Sequence, residues 1–403
     1  MKKRLVFLVL LVSLVRLEAQ EGFHFGFHGF VNPHYYADSR SVVGGREDMM
    51  LFYPKPIVRD SLGRDINDGW QANMLAITAR INLTIHGPEI WGAQSRAFIE
   101  GDFTGATNAT INNLRLRHAY LALEWDKHKL LMGQYWYAMV VHEIMPMTNP
   151  LNMGAPFHPY ARQPQIRYSF FPSPNWELMA VAQWQLDNTS QGLLNNVVQN
   201  STLFARHSLL PEMNAQLRYR HRNLLLGAAA NLKSIQPIVN TTGTASPQQT
   251  YQSFSYSFFA SYKLNQITVK VQTLLNNSLY EGCSLGGYLM YQDVGGGNIV
   301  DFRDWHFNTV WLDIERTHGH WRPGIFMGYA KHIMNEGPVL AIYGPATVLG
   351  RGYDLSYLWR IQPRLTYTTQ KGLSFTGEAE YTYAGYNEPV GNLRLSLSAV
   401  YAF

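Results

Sequence analysis

The chain has 403 residues, with 33 Lys and Arg against 28 Asp and Glu and a formal net charge of +5. The first nineteen residues hold four of the bases and one of the acids, so the remaining chain is nearly neutral and gives no reason to expect a nucleic-acid partner. A single cysteine, Cys283, excludes an intrachain disulfide and a site of several thiolates. Beyond the N-terminal run, no stretch is apolar for the roughly 20 residues that a membrane-spanning helix needs, which excludes a helical membrane protein.

The N-terminus has the pattern of a secretory signal peptide. Three basic residues precede an apolar run at 5–15, and Ala19 offers a small residue before a cleavage site. The run is too short to cross a bilayer as a helix. We therefore predict a signal peptide over residues 1–19 and an exported mature chain over residues 20–403.

Most of the mature chain alternates apolar and polar residues with a period of two, which is typical of strands with one apolar face. In the last segment, leucines at three alternate positions flank Arg394 and Ser396, and the chain ends on Phe403, as outer-membrane barrels commonly do. We predict sixteen strands, at residues 22–36, 70–86, 91–103, 112–126, 128–136, 163–171, 175–186, 211–221, 223–234, 251–263, 265–279, 304–317, 321–332, 354–369, 371–384 and 392–403.

The connections between these strands alternate between short and long, which is typical of a barrel with tight periplasmic turns and long external loops. A soluble β-sandwich has no reason to sort its loops in this way. Tryptophans lie near both sets of ends, Trp91 and Trp125 by short turns and Trp70 and Trp136 by long loops, as in two interfacial girdles. We therefore predict an all-β, transmembrane, antiparallel β-barrel of about sixteen strands in the lipid bilayer of an outer membrane.

The predicted strand 112–126 departs from this scheme, because Arg115 and Arg117 share their parity with Leu121. A β-bulge near Ala119 would exchange the two faces of the strand. Alternatively, this part of the wall packs on another subunit instead of lipid.

A barrel of sixteen strands leaves a water-filled lumen, whereas about eight strands are filled by side chains. The polar faces of the strands would line the lumen, and their excess of positive charge would attract anions. The alternative is that these charges pair across strands. The basic members are Arg80, Arg96, Arg167, Arg218, Arg220, Lys233, Lys263, Lys270, Arg360, Arg364 and Arg394, and the acidic members are Glu100, Asp102, Glu177, Asp313, Glu315, Glu378 and Glu380.

The predicted loop 137–162 differs from the other loops because it is rich in methionine and proline. Its only acid is Glu143. We predict that it folds into the lumen and narrows it, since irregular backbone is tolerated at membrane depth where it lines a water-filled cavity. Glu143, Met147 and His158 would then belong to the constriction. A lid over the barrel mouth and a contact between subunits are the alternatives.

Signals for an enzyme are weak. His142 and Glu143 lack the second histidine of a zinc-binding helix, and the glycines at 295–297 follow no strand–helix unit. His318 and His320 flank a short turn and are a poor candidate for a metal pair. We expect no catalytic activity, no cofactor and no bound metal.

Four segments of the first half of the predicted barrel form a distinctive set, namely FIEGDF at 98–103, LRLRHAY at 114–120, MGQYW at 132–136 and RQPQIRY at 162–168. They resemble segments of the DcaP-like porins, in the same order and with matching spacing. The resemblance implies a sixteen-stranded trimeric porin of Gram-negative outer membranes, with a preference for small anionic solutes such as dicarboxylates. The arginines within these segments, which we expect to contact the solute, are Arg115, Arg117, Arg162 and Arg167.

The function that we expect is therefore passive diffusion of small, hydrophilic, preferentially anionic solutes through a homotrimeric porin. A surface adhesin or structural barrel with a closed lumen is one alternative. An outer-membrane enzyme that modifies lipids is another. We expect charge reversal at the four carried-over arginines to lower the anion preference, and the same change at Arg46, which we place in an exposed loop, to do much less.

Overall fold

The computed structural model describes residues 22–149, 152–242, 249–292, 299–333 and 346–403. The predicted signal peptide at 1–19, the predicted start of the mature chain at Gln20 and the glycines at 295–297 lie outside these residues.

Sixteen antiparallel strands form one closed barrel, which confirms the predicted fold class. Each strand pairs with the next, and the first pairs with the last through Tyr36 and Ser396. The strands are β1 (His24–Val31 and His34–Arg40), β2 (Asp68–Leu75 and Arg80–His86), β3 (Gln94–Asp102), β4 (Arg115–Glu124), β5 (His128–Trp136), β6 (Arg162–Ser173), β7 (Trp176–Gln183), β8 (Glu212–His221), β9 (Leu224–Ile235), β10 (Tyr251–Leu264), β11 (Ile267–Asn277), β12 (Ile299–Arg316), β13 (Trp321–Ile333), β14 (Tyr357–Thr368), β15 (Leu373–Gly385) and β16 (Val390–Ala402).

The polarity of the two faces is inverted relative to a soluble protein. In β10, serines at alternate positions are buried inside the barrel, whereas the aromatic residues between them are exposed on its outer surface. Phe254 is 48% exposed and its neighbour Ser255 only 1%. An apolar outer face suits hydrocarbon, and a polar inner face suits a water-filled lumen. The alternation read from the sequence thus has a physical cause in the two solvents that the wall separates.

The connections follow the predicted order of short and long segments. The long ones contain short elements of their own. Among the described residues, no helix is long and apolar enough to cross a membrane. The short elements are the strands Val42–Gly45, Met50–Pro54, Gln191–Leu194, Val197–Asn200, Ile238–Val239, Gly286–Gln292 and Ala346–Arg351, the helix Leu203–His207 and the 3-10 turns Asn108–Thr110, His142–Ile144 and Tyr280–Gly282.

The first two strands are each interrupted, where the sequence predicts continuous strands. The break in β1 falls at Pro33, which has no backbone N–H to donate to a neighbouring strand. The break in β2 spans residues 76–79, and there Ile77 and Thr78 turn into the barrel and are buried. Both breaks lie beside each other in the wall, because the two strands are paired.

A bulge in β4 explains why its arginines share the parity of outward-facing leucines. Glu100 pairs with His118 and Gly101 pairs with Leu116, so Arg117 is the extra residue. Arg117 and His118 are consequently both buried on the inner side. The bulge was predicted near Ala119 and lies at Arg117. Since it accounts for the change of faces within one chain, the parity of this strand gives no support to a subunit contact.

Strands β4 and β5 approach each other closely at Gly133, and a substitution there tests how this part of the wall is packed. Gly133 has φ +129°, and a Cβ atom there would lie 2.2 Å from the carbonyl oxygen of Ala119 in β4. We expect Gly133→Ala to destabilise the barrel by about 1–3 kcal/mol, since both the backbone conformation and the strand pairing would be strained. The loss of the folded band on gel electrophoresis without boiling, followed against temperature, measures this effect.

Gly377→Ala is the matched control, because a Cβ there would meet only a side-chain atom of Leu397 at an ordinary 3.5 Å. Equal melting temperatures for the two variants would contradict the assignment of strain to Gly133.

Candidate functional site

The described residues of segment 137–161, which are 137–149 and 152–161, follow the end of β5 and reach the opposite wall of the barrel. Lys270 Nζ of β11 donates to the carbonyl oxygen of Met145 over 3.0 Å. Arg360 Nη1 of β14 donates to the carbonyl oxygen of Ala155 over 2.7 Å. The backbone N–H of Asn149 donates to the carboxylate of Glu378 in β15. The segment is therefore held inside the barrel by side chains of three strands.

A second segment, residues 41–67, also enters the barrel, which the sequence reading missed. Arg360 Nη2 donates to the carbonyl oxygens of Leu51 and Phe52, each over 3.1 Å. Arg394 donates to the carbonyl oxygens of Asp48 and Met49. The run of apolar residues at 49–53 was the available signal, by the same argument that applied to the methionine-rich loop.

These two segments fill one side of the lumen with apolar side chains. Phe52 packs in one buried cluster with Phe157 of the other segment and with Phe326 and Trp311 of the wall. Two cavities lie on the side of β2 to β8. We call the one toward the long loops the outer chamber and the one toward the short turns the inner chamber.

The outer chamber has a volume of about 230 Å³ and is strongly cationic. Its wall also includes Tyr160 and the only cysteine, Cys283. Six arginines face two aspartates, namely Arg46, Arg80, Arg115, Arg117, Arg162 and Arg351 against Asp102 and Asp187.

Two carboxylates are shared among the arginines of the outer chamber. Arg117 is bonded to both, with Nε 2.7 Å from Glu100 and Nη1 2.9 Å from Asp102. Arg115 pairs with Asp102 over 3.0 Å, and Arg80 lies 3.7 Å from Glu100. These contacts show that the predicted alternative, pairing across strands, holds for part of the charge.

Arg162 is not one of the arginines that share these two carboxylates. Among the residues that the structure describes, it forms no ion pair, and its buried Nη1 has no hydrogen-bond partner. Its guanidinium lies 5.0 Å from the ring centre of Trp136 and 5.2 Å from that of Tyr160. An unsatisfied donor on a buried cation is costly unless a ligand or water meets it. Arg162 Nη1 is therefore one point at which an anion would be stabilised, and Arg80 Nε and Arg117 Nη2 are others, since they too have no hydrogen-bond partner among the described residues.

The inner chamber, of about 280 Å³, is also cationic. Arg218 and Arg220 both contact the carboxylate of Glu143, over 3.0 and 3.2 Å. Burial raises the pKa of Glu143, but the two arginines outweigh it and hold that pKa below its usual range. The chamber is lined by Arg96, Lys129, Arg167, Arg218 and Arg220 against Glu143 and Glu177.

A layer of aromatic side chains separates the two chambers. Trp136 lies 5.5 Å from the ring centre of Tyr160, which faces the outer chamber. Arg167 Nη2 donates to the carbonyl oxygen of Trp136, and its guanidinium lies 4.9 Å from the ring centre of Tyr135, which faces the inner chamber. Trp136 was predicted in an interfacial girdle, yet it is only 5% exposed and lies inside the lumen.

The structure thus brings most of the predicted site residues together in two groups. One group comprises Arg80, Glu100, Asp102, Arg115, Arg117 and Arg162, and the other comprises Arg96, Glu143, Arg167, Arg218 and Arg220. The sequence reading missed four residues of the lumen, namely Tyr135, Trp136, Tyr160 and Arg351. Tyr135 and Trp136 lie at the end of β5, whereas Tyr160 and Arg351 belong to the lumen only through the fold of the loops.

Four predicted site residues lie elsewhere. Arg360 is 1% exposed and ties the two inward segments to the wall, and Arg364 pairs with Asp313 over 2.7 Å. His158 is fully buried against Trp311, and burial with nearby Lys270 lowers its pKa to about 3. Met147 is 58% exposed but lines neither chamber. None of the four lines either chamber.

The prediction that Arg46 lies in an exposed loop is also wrong. Arg46 lines the outer chamber, because the segment that carries it folds inward. Arg59, whose side chain is 56% exposed, is the suitable distant control.

Cys283 reports directly on the charge of the outer chamber. It is partly exposed there and is the only thiol of the chain. We expect an anionic methanethiosulfonate to modify it roughly tenfold faster than a cationic reagent of the same size, because a cationic cavity concentrates anions. Mass spectrometry of the protein against time gives both rates.

Cys283→Ser must abolish the labelling, and high salt must bring the two rates together. Faster reaction with the cationic reagent would contradict a cationic chamber.

Comparisons with known proteins bear on the fold. No protein-family model matches the chain, and no curated protein matches its sequence. Among solved structures, the outer membrane channel DcaP of Acinetobacter baumannii is similar over 96% of this chain and 99% of that one, with 17% identity and a TM-score of 0.66. An anion-selective porin from Comamonas acidovorans is similar over 94% and 100%, with 9% identity and a TM-score of 0.56. The trimer form of OmpT of Vibrio cholerae is similar over 95% and 100%, with 8% identity and a TM-score of 0.55.

These likenesses extend over the whole barrel and agree with the predicted resemblance to DcaP-like porins at the level of fold. The chain has the closed sixteen-stranded barrel of Gram-negative outer-membrane porins, as predicted.

Proposed function

We propose that this protein is an outer-membrane porin for passive diffusion of small hydrophilic solutes, and that it prefers anions. The observation that carries the proposal is the excess of guanidinium over carboxylate groups in both chambers. Six arginines face two aspartates in the outer chamber, and five cations face two glutamates in the inner one. Low-dielectric walls focus this positive field on the path of a solute.

The two chambers provide successive sites for one anion. Each contains an arginine that forms no ion pair among the described residues, Arg162 in the outer chamber and Arg167 in the inner one. A planar guanidinium can bind a carboxylate at two points and stays charged at any working pH. Conduction also requires that binding be weak enough for release, and a second site next to the first lowers the barrier to leaving.

Dicarboxylates would suit this arrangement, since arginines can bind both carboxylates of a diacid as it passes from one chamber to the next. The resemblance to DcaP-like porins points to the same class of solute. Uncharged sugars of equal size would lack both contacts.

Single-channel recording in planar bilayers tests the proposal. In a gradient of potassium chloride, the reversal potential of the wild-type channel is expected to have the sign of an anion-preferring pore. Added succinate should reduce the chloride current more than an uncharged sugar of similar size. A cation-preferring reversal potential would refute the anion preference, and a barrel without conductance would favour an adhesin or structural role.

We also propose that the protein assembles as a homotrimer in the outer membrane of a Gram-negative bacterium, after removal of residues 1–19. The support is the resemblance to DcaP-like porins and the similarity to a trimeric structure. Chemical cross-linking in mild detergent should give a species of three chains whose N-terminal residue is Gln20. Recovery of monomers alone, or of chains that retain Met1, would contradict these statements.

A further inference from the structure

Tyr160 lies where the arginines of the outer chamber meet the aromatic layer. It belongs to the inward segment and not to a membrane-spanning strand. Its backbone N–H donates to the carbonyl oxygen of Gly282 over 2.6 Å, which holds the residue against the loop that carries Cys283. Its side chain is buried, with the hydroxyl 3.4 Å from Arg117 Nη1 and the guanidinium of Arg162 over its ring.

The charges around this hydroxyl do not balance. Arg80, Arg115, Arg117 and Arg162 contribute four positive charges, whereas Glu100 and Asp102 contribute two negative charges. Among these six groups, two positive charges are left over. Charge that is wholly or partly buried without compensation is costly, so a negative group from the solution or from the chain itself would stabilise the cluster.

We propose that the Tyr160 hydroxyl is an internal, exchangeable anion of this cluster. When it has lost its proton to water in the chamber, the phenolate pairs with Arg117 and Arg162. When an anion enters the outer chamber, it takes over these arginines, and Tyr160 recovers a proton from water. The proposal rests on the anion-preferring function given above. It adds that Tyr160 takes up one proton when an anion binds at this site and releases it when the anion leaves.

The electrostatics of the site agree with this role. Burial raises the pKa of Tyr160, but Arg117, Arg162, Arg80 and Arg115 outweigh burial and bring it down to about 7. The ionised form therefore grows as the pH rises through neutrality. Each ionisation adds one negative charge to the path of the solute, so the anion preference should fall as the pH rises.

Other titratable groups face the same region and have to be separated from Tyr160. His118 of the wall lies 5.1 Å from the ring of Trp136, and His142 of the inward segment lies 6.4 Å from it. Arg46, Arg351 and Cys283 line the chamber from the long loops. A histidine that loses its proton also makes the lumen less positive, so His142 needs its own control.

Reversal potentials between about pH 6 and about pH 9 test the proposal. The anion-to-cation permeability ratio of the wild-type channel should fall roughly threefold across this range, with the midpoint near neutrality. Tyr160→Phe should remove the step. Tyr135→Phe is the matched control, because the ring of Tyr135 also contacts an arginine guanidinium but faces the inner chamber. That variant should keep the step. His142→Gln should keep it as well.

A second measurement needs no variant at the site. The ultraviolet absorbance of tyrosinate in the wild-type protein should show one tyrosine per chain ionising near neutrality. Sulfate is fully ionised over the whole range, and adding it should move that midpoint to higher pH, since the anion favours the protonated hydroxyl.

The outcomes separate this inference from the proposed function. An anion-preferring channel whose selectivity does not change with pH, or a tyrosinate midpoint that sulfate leaves unmoved, would overturn the role of Tyr160 and leave the porin intact. A pH step that persists in Tyr160→Phe and disappears in His142→Gln would assign the titration to the histidine and overturn the inference. A channel without anion preference would overturn the function itself.

Discussion

Arg162→Glu is expected to shift the reversal potential of the channel furthest toward cations. Arg162 has no carboxylate partner among the described residues, so the exchange alters the field in the lumen without breaking an existing ion pair. The new carboxylate would lie among Arg117, Arg80 and Arg115 and would satisfy part of their excess charge. A unit charge acts at about 5 Å with about 3 kcal/mol when the effective dielectric constant is about 20.

A fraction of this energy, after screening by salt, suffices for a roughly tenfold fall in the anion-to-cation permeability ratio. Arg162→Gln, which removes one charge where Arg162→Glu changes two, should give about half the shift in reversal potential. Arg117→Glu is the poorer test, since it would leave Glu100 and Asp102 without their shared partner and threaten the fold.

Arg59→Glu is the control for this prediction, because its side chain is exposed and lies on the outer part of segment 41–67. Its reversal potential should stay close to that of the wild type. If Arg162→Glu also keeps the wild-type value in low salt, where screening is weakest, the outer chamber does not control selectivity.

The second large effect is expected on conductance. Arg360 donates to carbonyl oxygens of both inward segments and also lies 3.1 Å from Glu380. Removing the guanidinium alone would strand a buried carboxylate at a cost of about 3–5 kcal/mol. The double variant Arg360→Met with Glu380→Gln avoids that charge and removes the tie. We expect the segments to loosen and the single-channel conductance to rise by roughly twofold, with a weaker anion preference.

Arg364→Met with Asp313→Asn is the matched control. Arg364 lies on the same strand and the same face as Arg360, but its ion pairs join only wall residues, Asp313 and Glu315. The control should keep the conductance of the wild type. An unchanged conductance in the Arg360 double variant would mean that Arg360 is dispensable, because the apolar packing around Phe157 and Phe326 and the ties from Lys270, Glu378 and Arg394 hold the segments without it.

The barrel could be predicted from the sequence because the patterns that specify it involve residues that are close together in the chain. A period of two assigns each residue to the lipid or to the lumen, and the order of short and long loops gives the topology. The bulge in β4 was detectable for the same reason, since a change of parity within one strand has few causes. The predicted position of the bulge was wrong by two residues, because the alternation alone does not show which residue of the strand lacks a partner on the neighbouring strand.

The arrangement inside the lumen depends on contacts that are distant in sequence. Arg360 and Arg364 lie on the same face of one strand, and each pairs with a carboxylate. Only the positions of segments 41–67 and 137–161 decide that Arg360 also binds the loops. Arg46 is a further example. The sequence predicted an exposed position, but the inward fold of its segment places it in the outer chamber. Loop conformation of this kind follows from packing and leaves no periodic signal.

Several ties between the wall and the inward segments end on main-chain carbonyl oxygens. Arg360, Arg394 and Lys270 all donate to such oxygens, at residues 48, 49, 51, 52, 145 and 155. A carbonyl group is the same whatever side chain its residue carries, so mutations that replace those side chains leave the anchors in place. The lining of the pore can therefore diverge by point mutation while the scaffold that presents it persists, and this separation makes the barrel a suitable starting point for directed evolution of new solute preferences.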